Sequence, residues 1–197
     1  MTKFEQLNSL LQSNNGFLKT SDVLAAGVSK THFGEYVRKN DLERVAHGLY
    51  MSQDAWVDNM YQLQVRYPQI VFSHETALYL LDLAEREPLR FAVTVKNNLN
   101  TTNLSRQGVK VYKVIEDRYY VGITEVESKA RHMLRAYNPE RTVCDLIRSR
   151  KNIEIQDLQT ALKTYVRFNG KNLSLLLEYA KIFQIEKILK QYLEVLL

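Results

Sequence analysis

The chain begins with apolar residues at helical spacing. Four apolar positions, three or four residues apart, form one stripe: Phe4, Leu7, Leu10 and Leu11. A stripe of this kind packs one face of a helix against a core. The sequence therefore predicts a first helix that ends near the Asn14-Asn15-Gly16 segment.

Two further short helices around a tight turn are predicted over residues 20–39. The first covers residues 22–26, with the hydroxyl of Thr20 or Ser21 as N-cap. It ends at Gly27, because glycine accepts the left-handed backbone that a tight turn requires.

Residues 30–39 form the second of these helices, with Ser29 as its predicted N-cap. Phe33 and Val37 fall on its buried stripe. Its remaining positions point outward and carry groups that can hydrogen-bond phosphates and base edges: Lys30, Thr31, Glu35, Arg38 and Lys39.

After residue 40 the period changes to two, which predicts a hairpin over residues 42–50 that turns at His47-Gly48. Two helices around a turn followed by a hairpin are typical of a winged helix-turn-helix, a DNA-binding motif. A winged domain with a purely structural or protein-binding role is the alternative. Among the twelve tyrosines, Tyr36 and Tyr50 are the candidates for stacking on bases, whereas the others are expected to pack at domain boundaries.

Beyond residue 54 the chain alternates between helical and strand patterns. Helices are predicted over residues 55–67 and 74–83, the second with Ser73 as N-cap. Short apolar or β-branched segments predict strands at 70–72, 90–95, 109–114, 119–126 and 130–134, with an exposed polar loop over residues 96–108. Asn138-Pro139 then begins a helical remainder, residues 140–150, 155–168, 173–183 and 186–197.

These elements predict an α+β protein with two domains. A winged helix-turn-helix DNA-binding domain occupies residues 1–54, and a mixed α/β domain with a helical C-terminal part occupies residues 55–197.

Composition excludes several classes of protein. A content of 45% hydrophobic and 25% charged residues is that of a globular protein. The absence of a run of about 18 apolar residues and of a signal-peptide hydrophobic region predicts a cytoplasmic protein without a membrane span. A single cysteine, Cys144, excludes an internal disulfide and is expected to be a small buried hydrophobe.

The net charge of +5 is unevenly distributed. Residues 1–56 hold six Lys or Arg and six Asp or Glu, whereas residues 86–135 hold ten and five. Affinity for nucleic acid depends on neutralising phosphates, so the second domain is expected to help to hold a duplex. The alternative is a solvated basic surface without a ligand.

Catalytic and metal-binding motifs are mostly missing from the sequence. The four histidines lie far apart, and neither a phosphate-binding glycine loop nor a framed Ser or Cys nucleophile occurs. Asp117, Glu127 and Lys129 could imitate the acid and lysine cluster of a metal-dependent nuclease, which gives an alternative enzyme hypothesis. We expect no enzyme activity, no cofactor and no metal.

Four segments resemble a known family. They are GFLKTSDVLAAGVS (residues 16–29), LERVAHGLY (42–50), HETALYLLDL (74–83) and ERTVCDLIR (140–148). Together they resemble the antitoxin and transcriptional regulator of the AbiE abortive-infection systems, which defend bacteria against phage. The last two segments are the most distinctive, and the four span most of the chain in the expected order.

This resemblance implies a bipartite protein. Its winged helix represses the antitoxin–toxin operon by binding inverted repeats in double-stranded operator DNA, and its C-terminal domain is the antitoxin. The resemblance also implies a type IV system, in which the antitoxin opposes a nucleotidyltransferase-like toxin without a stable direct complex. A conventional antitoxin that sequesters its toxin by contact stays an alternative. Paired molecules on an inverted repeat are expected to bind cooperatively if they contact each other or bend the DNA.

The resemblance also suggests residues. It places Lys30, Thr31, His32, Arg38 and Lys39 on the helix that reads DNA, and Arg44 and His47 on the wing. Because the N-terminal domain is neutral, we infer that some of six basic residues extend the DNA contact: Arg86, Arg90, Lys96, Arg106, Lys110 and Lys113. Arg141 and Asp145, four apart on one helix, can pair with each other, and a role in antitoxicity stays open.

Overall fold

A computed structural model describes residues 2–196 of the chain. The residues form two compact units. The first runs to Pro68 and also includes Glu127–Met133, whereas the second comprises Gln69–Val126 and the chain from Leu134 onward. The predicted boundary after residue 54 falls inside the first unit, which continues because Met60, Tyr61 and Leu63 of the next helix are buried.

The first unit contains four helices and three strands among the described residues. In chain order they are α1 Lys3–Ser13, β1 Phe17–Lys19, α2 Thr20–Ala25, α3 Lys30–Lys39, β2 Glu43–Ala46, β3 Leu49–Met51 and α4 Asn59–Arg66. The strands form an antiparallel sheet in the order β1-β3-β2. The β2–β3 hairpin turns at Gly48, whose φ of 68° suits glycine.

The predicted helix pair is present with one correction. Gly27 has a φ of 75° and ends α2, and the amide of Val28 then donates to the carbonyl of Val23. Ser29 caps α3 as predicted, since its hydroxyl accepts from the amide of His32. The N-cap of α2, however, is Lys19 rather than Thr20 or Ser21, and no side chain caps this helix.

One apolar cluster holds these elements together. Its buried members come from α1, β1, α2, α3 and the segments that follow α2 and α3: Leu7, Leu18, Val23, Val28, Phe33, Tyr36 and Leu42. Phe4, Leu10, Leu11 and Val37 pack against it. The stripes predicted on the first and third helices are therefore confirmed as core faces.

The second unit consists of a mixed sheet and a helical layer. Its elements are β4 Val71–Phe72, α5 His74–Leu80, β5 Ala92–Lys96, α6 Thr102–Arg106, β6 Lys110–Val114, α7 Glu116–Tyr119, β7 Ile123–Glu127, β8 Met133–Tyr137, α8 Pro139–Arg148, a 3₁₀ turn Arg150–Asn152, α9 Ile155–Arg167, α10 Leu173–Ile182 and α11 Glu186–Leu196. The strand order is β6-β5-β4-β8-β7, with β5 parallel to β6 and β4 parallel to β8.

The main core of this unit lies among its helices. Buried residues of α5, α8, α9, α10 and α11 form one cluster, which includes Leu78, Leu146, Leu162, Leu176 and Leu189. Cys144 is fully buried in the same cluster, as predicted. Asn138 caps α8 by accepting from the amide of Arg141, with Pro139 at the first helical position, again as predicted.

Several predicted boundaries in this unit are wrong. The loop over residues 96–108 contains α6, because burial of Leu104 anchors a turn of helix in a polar stretch. The strand expected from Tyr119 begins at Ile123, since Tyr119 ends α7. The last strand lies at Met133–Tyr137 rather than residues 130–134, because Leu134 and Ala136 are its buried positions.

Candidate nucleic-acid interface

Helix α3 presents its polar residues to solvent. Phe33 and Tyr36 are buried, whereas five candidate residues are exposed: Lys30, Thr31, His32, Arg38 and Lys39. Lys30 and Arg38 are eight residues apart, about 12 Å along the helix axis. The helix therefore offers cations at both ends of one exposed face, with a hydroxyl beside the first.

A glycine lies between these two cations. Lys30, Gly34 and Arg38 follow one another at intervals of four residues and share one row of the helix surface. Outside the neighbouring backbone of its own helix, a Cβ added at Gly34 would meet no atom of the described chain within 4 Å. Glycine inside a helix costs about 0.5–1 kcal/mol relative to alanine. Internal packing thus gives no reason for this glycine, whereas a ligand that approaches the backbone closely would.

The β2–β3 hairpin brings two candidate residues together. The Arg44 guanidinium lies 3.1 Å from Nδ1 of His47, and both side chains are exposed. Arg66 of α4 adds a third basic group, because its guanidinium donates to the carbonyl of Val45 at 3.2 Å. Sequence reasoning missed Arg66, since 21 positions separate it from the hairpin residue that it contacts.

The two tyrosines proposed to stack on bases lie in different environments. Tyr36 is 1% exposed and its hydroxyl donates to Oδ1 of Asn8 at 2.5 Å, so the prediction for this residue is wrong. Tyr36 is buried because it falls on the same helix face as Phe33. Tyr50 is half-buried, with its ring edge-on to that of Phe33 at 5.1 Å.

The basic candidates of the second unit are largely engaged in contacts within the chain. Lys96 bonds with Glu116 and Tyr120, and these contacts raise the pKa of Lys96 above its ordinary value. Burial opposes the charge of Lys110, but hydrogen bonds with Tyr112 and Glu75 outweigh it and raise the pKa of Lys110.

Three of the other four basic candidates sit near turns. Lys113 donates to the carbonyl of Leu99, and the Arg90 guanidinium donates to that of Gly108. Arg106 ends α6, and Arg86 is exposed in the segment between α5 and β5. Lys96, Lys110, Lys113 and Arg90 therefore each have a local structural use, and their hydrogen bonds go to different partners.

The two most distinctive sequence segments meet in the second unit. Nδ1 and Nε2 of His74 lie 3.0 Å from the hydroxyls of Ser73 and Ser149, and its ring stacks on Tyr112. Burial lowers the pKa of His74 well below its ordinary value, and nearby Lys110 acts in the same direction. The imidazole is therefore neutral at pH 7 and joins the start of α5 to the end of α8.

Arg141 and Asp145 lie inside this unit rather than on its surface. The pair is formed, with Nε of Arg141 donating to Oδ2 of Asp145 at 2.9 Å, and both side chains are almost fully buried. The Arg141 guanidinium also donates to the carbonyls of Arg118 and Val121. Their role in the structure is to join α8 to the segment before β7.

The residues of the nuclease hypothesis are exposed: Asp117 in α7, Glu127 at the end of β7 and Lys129 in the following turn. Among residues 2–196, no group of three or more His, Cys, Asp or Glu side chains is placed to hold a metal ion. None of the helices in this range combines the length and the apolar character that a membrane span requires.

Comparisons with known proteins add three findings. The described fold is similar to the crystal structure of RV2827C protein from Mycobacterium tuberculosis, with a TM-score of 0.52, 13% sequence identity, and coverage of 90% of this chain and 72% of that one. At this identity the similarity concerns the fold alone and supports a mixed α/β architecture. No curated protein sequence matches the chain.

A family model described as "Transcriptional regulator, AbiEi antitoxin" matches residues 5–53. The match includes α1 to β3, and therefore both the exposed face of α3 and the β2–β3 hairpin. Over residues 5–53 it confirms the resemblance to the AbiE antitoxin family of transcriptional regulators.

Proposed function

We propose that the protein is a cytoplasmic DNA-binding autorepressor and the antitoxin of a type IV abortive-infection system, without enzyme activity. The observation that carries the proposal is the exposed row Lys30–Gly34–Arg38 on α3, within the segment that matches the transcriptional regulators. In this function the first unit is a winged helix-turn-helix. It binds inverted repeats in the promoter of its own operon.

Helix α3 enters the major groove, where Lys30 and Arg38 contact base edges or phosphates and Gly34 lets the helix backbone approach the duplex. The hairpin places Arg44 and His47 against the sugar-phosphate backbone. The antitoxin function belongs to the second unit, which opposes a nucleotidyltransferase-like toxin without a stable complex. Its distinctive segments are used in packing around His74 and Arg141, which supports a role for them in the fold rather than at a contact surface.

Substitution of α3 cations is the first test. Lys30→Ala and Arg38→Ala are each expected to weaken binding to the DNA upstream of the gene by about tenfold, since a good bidentate base contact contributes about 1–3 kcal/mol. Arg44→Ala should weaken binding to all DNA equally and reduce the salt slope by about one. Gel shifts at two salt concentrations, with magnesium present and unrelated DNA of equal length beside the operator, measure both effects.

Lys163→Ala is the matched control, because Lys163 is an exposed lysine on α9 of the second unit. Its operator affinity should equal that of the wild type. If Lys30→Ala and Arg38→Ala both bind the operator DNA as tightly as the wild type does, α3 is not the helix that reads DNA. Degraded DNA that becomes intact on Glu127→Ala would instead favour the nuclease.

Gly34→Ala tests the close approach of the backbone. The substitution is expected to stabilise the protein by about 0.5–1 kcal/mol, since alanine favours the helix and the added Cβ meets no neighbour. It should also weaken operator binding several-fold, because the methyl group would occupy the contact surface. Thermal unfolding and gel shifts of the same preparation measure the two effects. A variant that is more stable and binds DNA as the wild type does would contradict the proposed contact.

Toxin co-expression tests the antitoxin function. The full-length protein is expected to restore growth of cells that express the toxin encoded next to it, although the two do not co-purify. Co-purification at equal amounts would instead support an antitoxin that sequesters its toxin.

A further inference from the structure

A groove of about 600 Å³ opens in the first unit, at the end of its sheet that lies away from the Gly48 turn. The amide of Ser52 donates to the carbonyl of Gly16 there and joins the ends of β3 and β1. The groove is lined by both of these residues and by Leu11, Trp56, Ala130 and Arg131.

Contacts of Asn15 and Gly16 fix the shape of the groove. A Cβ at Gly16 would lie 2.5 Å from Cβ of Ala55, and the φ of Gly16 is 84°, so only glycine fits there. The side-chain amide of Asn15 donates to the carbonyl of Arg131 at 2.9 Å and attaches the Glu127–Met133 turn. The groove is therefore formed in the free chain and needs little reorganisation to bind.

Trp56, which lines this groove, is an exposed aromatic residue. The side chain of Trp56 is 84% exposed, and that of its neighbour Val57 is 60% exposed. Tryptophan is one of the residue types that are enriched among the energetically dominant residues near the centres of protein interfaces, where they lie in well-packed pockets. Trp56 is thus both a lining residue and an unburied apolar anchor.

The groove carries charged side chains of both signs. The lining also includes one acidic residue, Asp54, and two basic residues, Lys129 and Arg131. In an interface with two-fold symmetry, each copy presents the same patch, so a residue of one copy meets a different residue of the other. Asp54 of one copy can therefore face Arg131 of the other, and the reciprocal pair forms at the same time.

We propose that this groove is a self-association surface, in which Trp56 of each copy enters the groove of a second copy of this chain. The surface shares no residue with the DNA-contacting positions of α3 and the hairpin. It lies at the opposite end of the sheet from the Gly48 turn, because Gly16 and Ser52 follow the pair Phe17–Met51 while Lys19–Leu49 lies next to the turn. Two copies can thus associate while both keep their DNA-contacting residues accessible.

The effect of self-association on DNA binding rests on the proposed function. Two associated copies present two reading helices to an inverted repeat, which makes binding to paired half-sites cooperative. Self-association itself is independent of DNA and is measured without it.

Sedimentation velocity of the full chain tests the surface. The wild type is expected to pass from the 23.0 kDa monomer to a dimer as its concentration rises through roughly 1–200 μM, the range of small transient interfaces. Trp56→Ala should raise the dissociation constant at least about tenfold. Leu89→Ala is the matched control, because Leu89 is a fully exposed apolar residue of the second unit, and it should leave the constant unchanged.

Charge reversal tests the two-fold arrangement. Asp54→Lys and Arg131→Glu should each weaken association by about threefold, and the double variant should recover most of the loss, because the reciprocal pairs are restored with opposite sign. A wild type that stays monomeric over the whole range, or a Trp56→Ala variant that associates as the wild type does, would overturn the proposal.

Binding of Trp56→Ala to a single half-site and to the paired site tests the self-association surface separately from the proposed function. Trp56→Ala should bind a single half-site as the wild type does and lose cooperativity on the paired site. A wild type that associates through Trp56 but shifts no DNA would contradict the proposed function and leave the surface supported.

Discussion

Replacing Arg141 with alanine is expected to lower the free energy of unfolding of the second unit by about 3–5 kcal/mol. The guanidinium is 0% exposed and donates to Asp145 and to the carbonyls of Arg118 and Val121. Its removal leaves a buried carboxylate with one long contact, from Arg148 at 3.4 Å. It also leaves two carbonyls without their donor.

The Arg141 side chain also contributes packing. The guanidinium carbon lies 4.0 Å from the ring centroid of Tyr137 and 4.2 Å from that of Phe183. Alanine would remove these contacts and leave a cavity between two aromatic rings. Urea denaturation followed by circular dichroism measures the loss, and the transition of the second unit should move while that of the first stays in place.

Arg148→Ala is the matched control, since Arg148 contacts the same carboxylate from a side chain that is 29% exposed. It should cost less than about 1 kcal/mol. The double variant Arg141→Met with Asp145→Leu should recover most of the stability, because an apolar pair of similar size needs no buried charge. An Arg141→Ala protein as stable as Arg148→Ala would contradict this account of the buried pair.

Replacing Asp58 with alanine is expected to destabilise the first unit by about 3 kcal/mol or more. Oδ1 of Asp58 accepts from the amide of Tyr61 at 2.9 Å and caps α4. Oδ2 accepts from the hydroxyl of Ser128 at 2.5 Å and lies 2.9 Å from Nδ1 of His132. One carboxylate thus joins α4 to the Glu127–Met133 turn. Its two partners in this turn follow Asp58 by 70 and 74 positions in the sequence.

Aromatic contacts add to this junction. The ring of His132 stacks on that of Tyr61 at 4.1 Å and meets the ring of Phe17 edge-on at 4.8 Å. Asp58→Ala would leave His132 buried without its carboxylate partner. Thermal unfolding and protease cleavage within residues 127–133 should both report the loss.

The same carboxylate makes the stability of the first unit depend on pH. Burial by itself would raise the pKa of Asp58, but hydrogen bonds from His132, Ser128 and the Tyr61 amide outweigh burial and lower it below its ordinary value of 3.8. Because the pKa of Asp58 is lower in the folded state, its carboxylate contributes fully to the free energy of unfolding at any pH above its pKa in the unfolded chain. This contribution is lost as the pH falls through its pKa in the folded state.

Asp58→Asn isolates the charge, because the amide keeps the size of the side chain. The difference in unfolding free energy between wild type and Asp58→Asn should stay constant above about pH 5 and shrink below about pH 4. Chemical denaturation across this range measures it. A difference that grows on acidification would show that the carboxylate is not stabilised in the folded state.

Local patterns predicted the N-terminal elements well because their determinants are close in sequence. The turn between α2 and α3 depends on Gly27, the cap of α3 on Ser29, and the hairpin on Gly48, each within a few residues of the element that it ends or begins. The exposed cations of α3 followed from the same periodicity that identified Phe33 as buried. Tyr36 was misjudged because its hydroxyl suggested a ligand, whereas Asn8 of α1 accepts its hydrogen bond.

The second unit was predicted less accurately because distant residues decide its elements. The short helix α6 exists because Leu104 is buried beside β6, and its polar sequence alone predicted a loop. Four of the six basic residues predicted to extend a DNA surface bond to other groups of the chain, and two of them, Lys96 and Lys110, are paired with Glu116 and Glu75. The acids that pair with them are 20 and 35 positions away and carry no local signal.

The sequence by itself determined the periodic helices, the turn and hairpin of the first 53 residues, the burial of Cys144 and the resemblance to the AbiE antitoxin family. All of these depend on spacing over a few residues or on the identity of contiguous segments. Only the tertiary structure decided that Asp58 meets His132, that Arg141 is enclosed by Tyr137 and Phe183, and that Trp56 stands beside a groove with Arg131. Such contacts arise when the chain brings together residues that are distant in sequence, as Asp58 and His132 are at 74 positions and Asn15 and Arg131 at 116. The energy of a buried or exposed side chain depends on those neighbours rather than on its own local pattern.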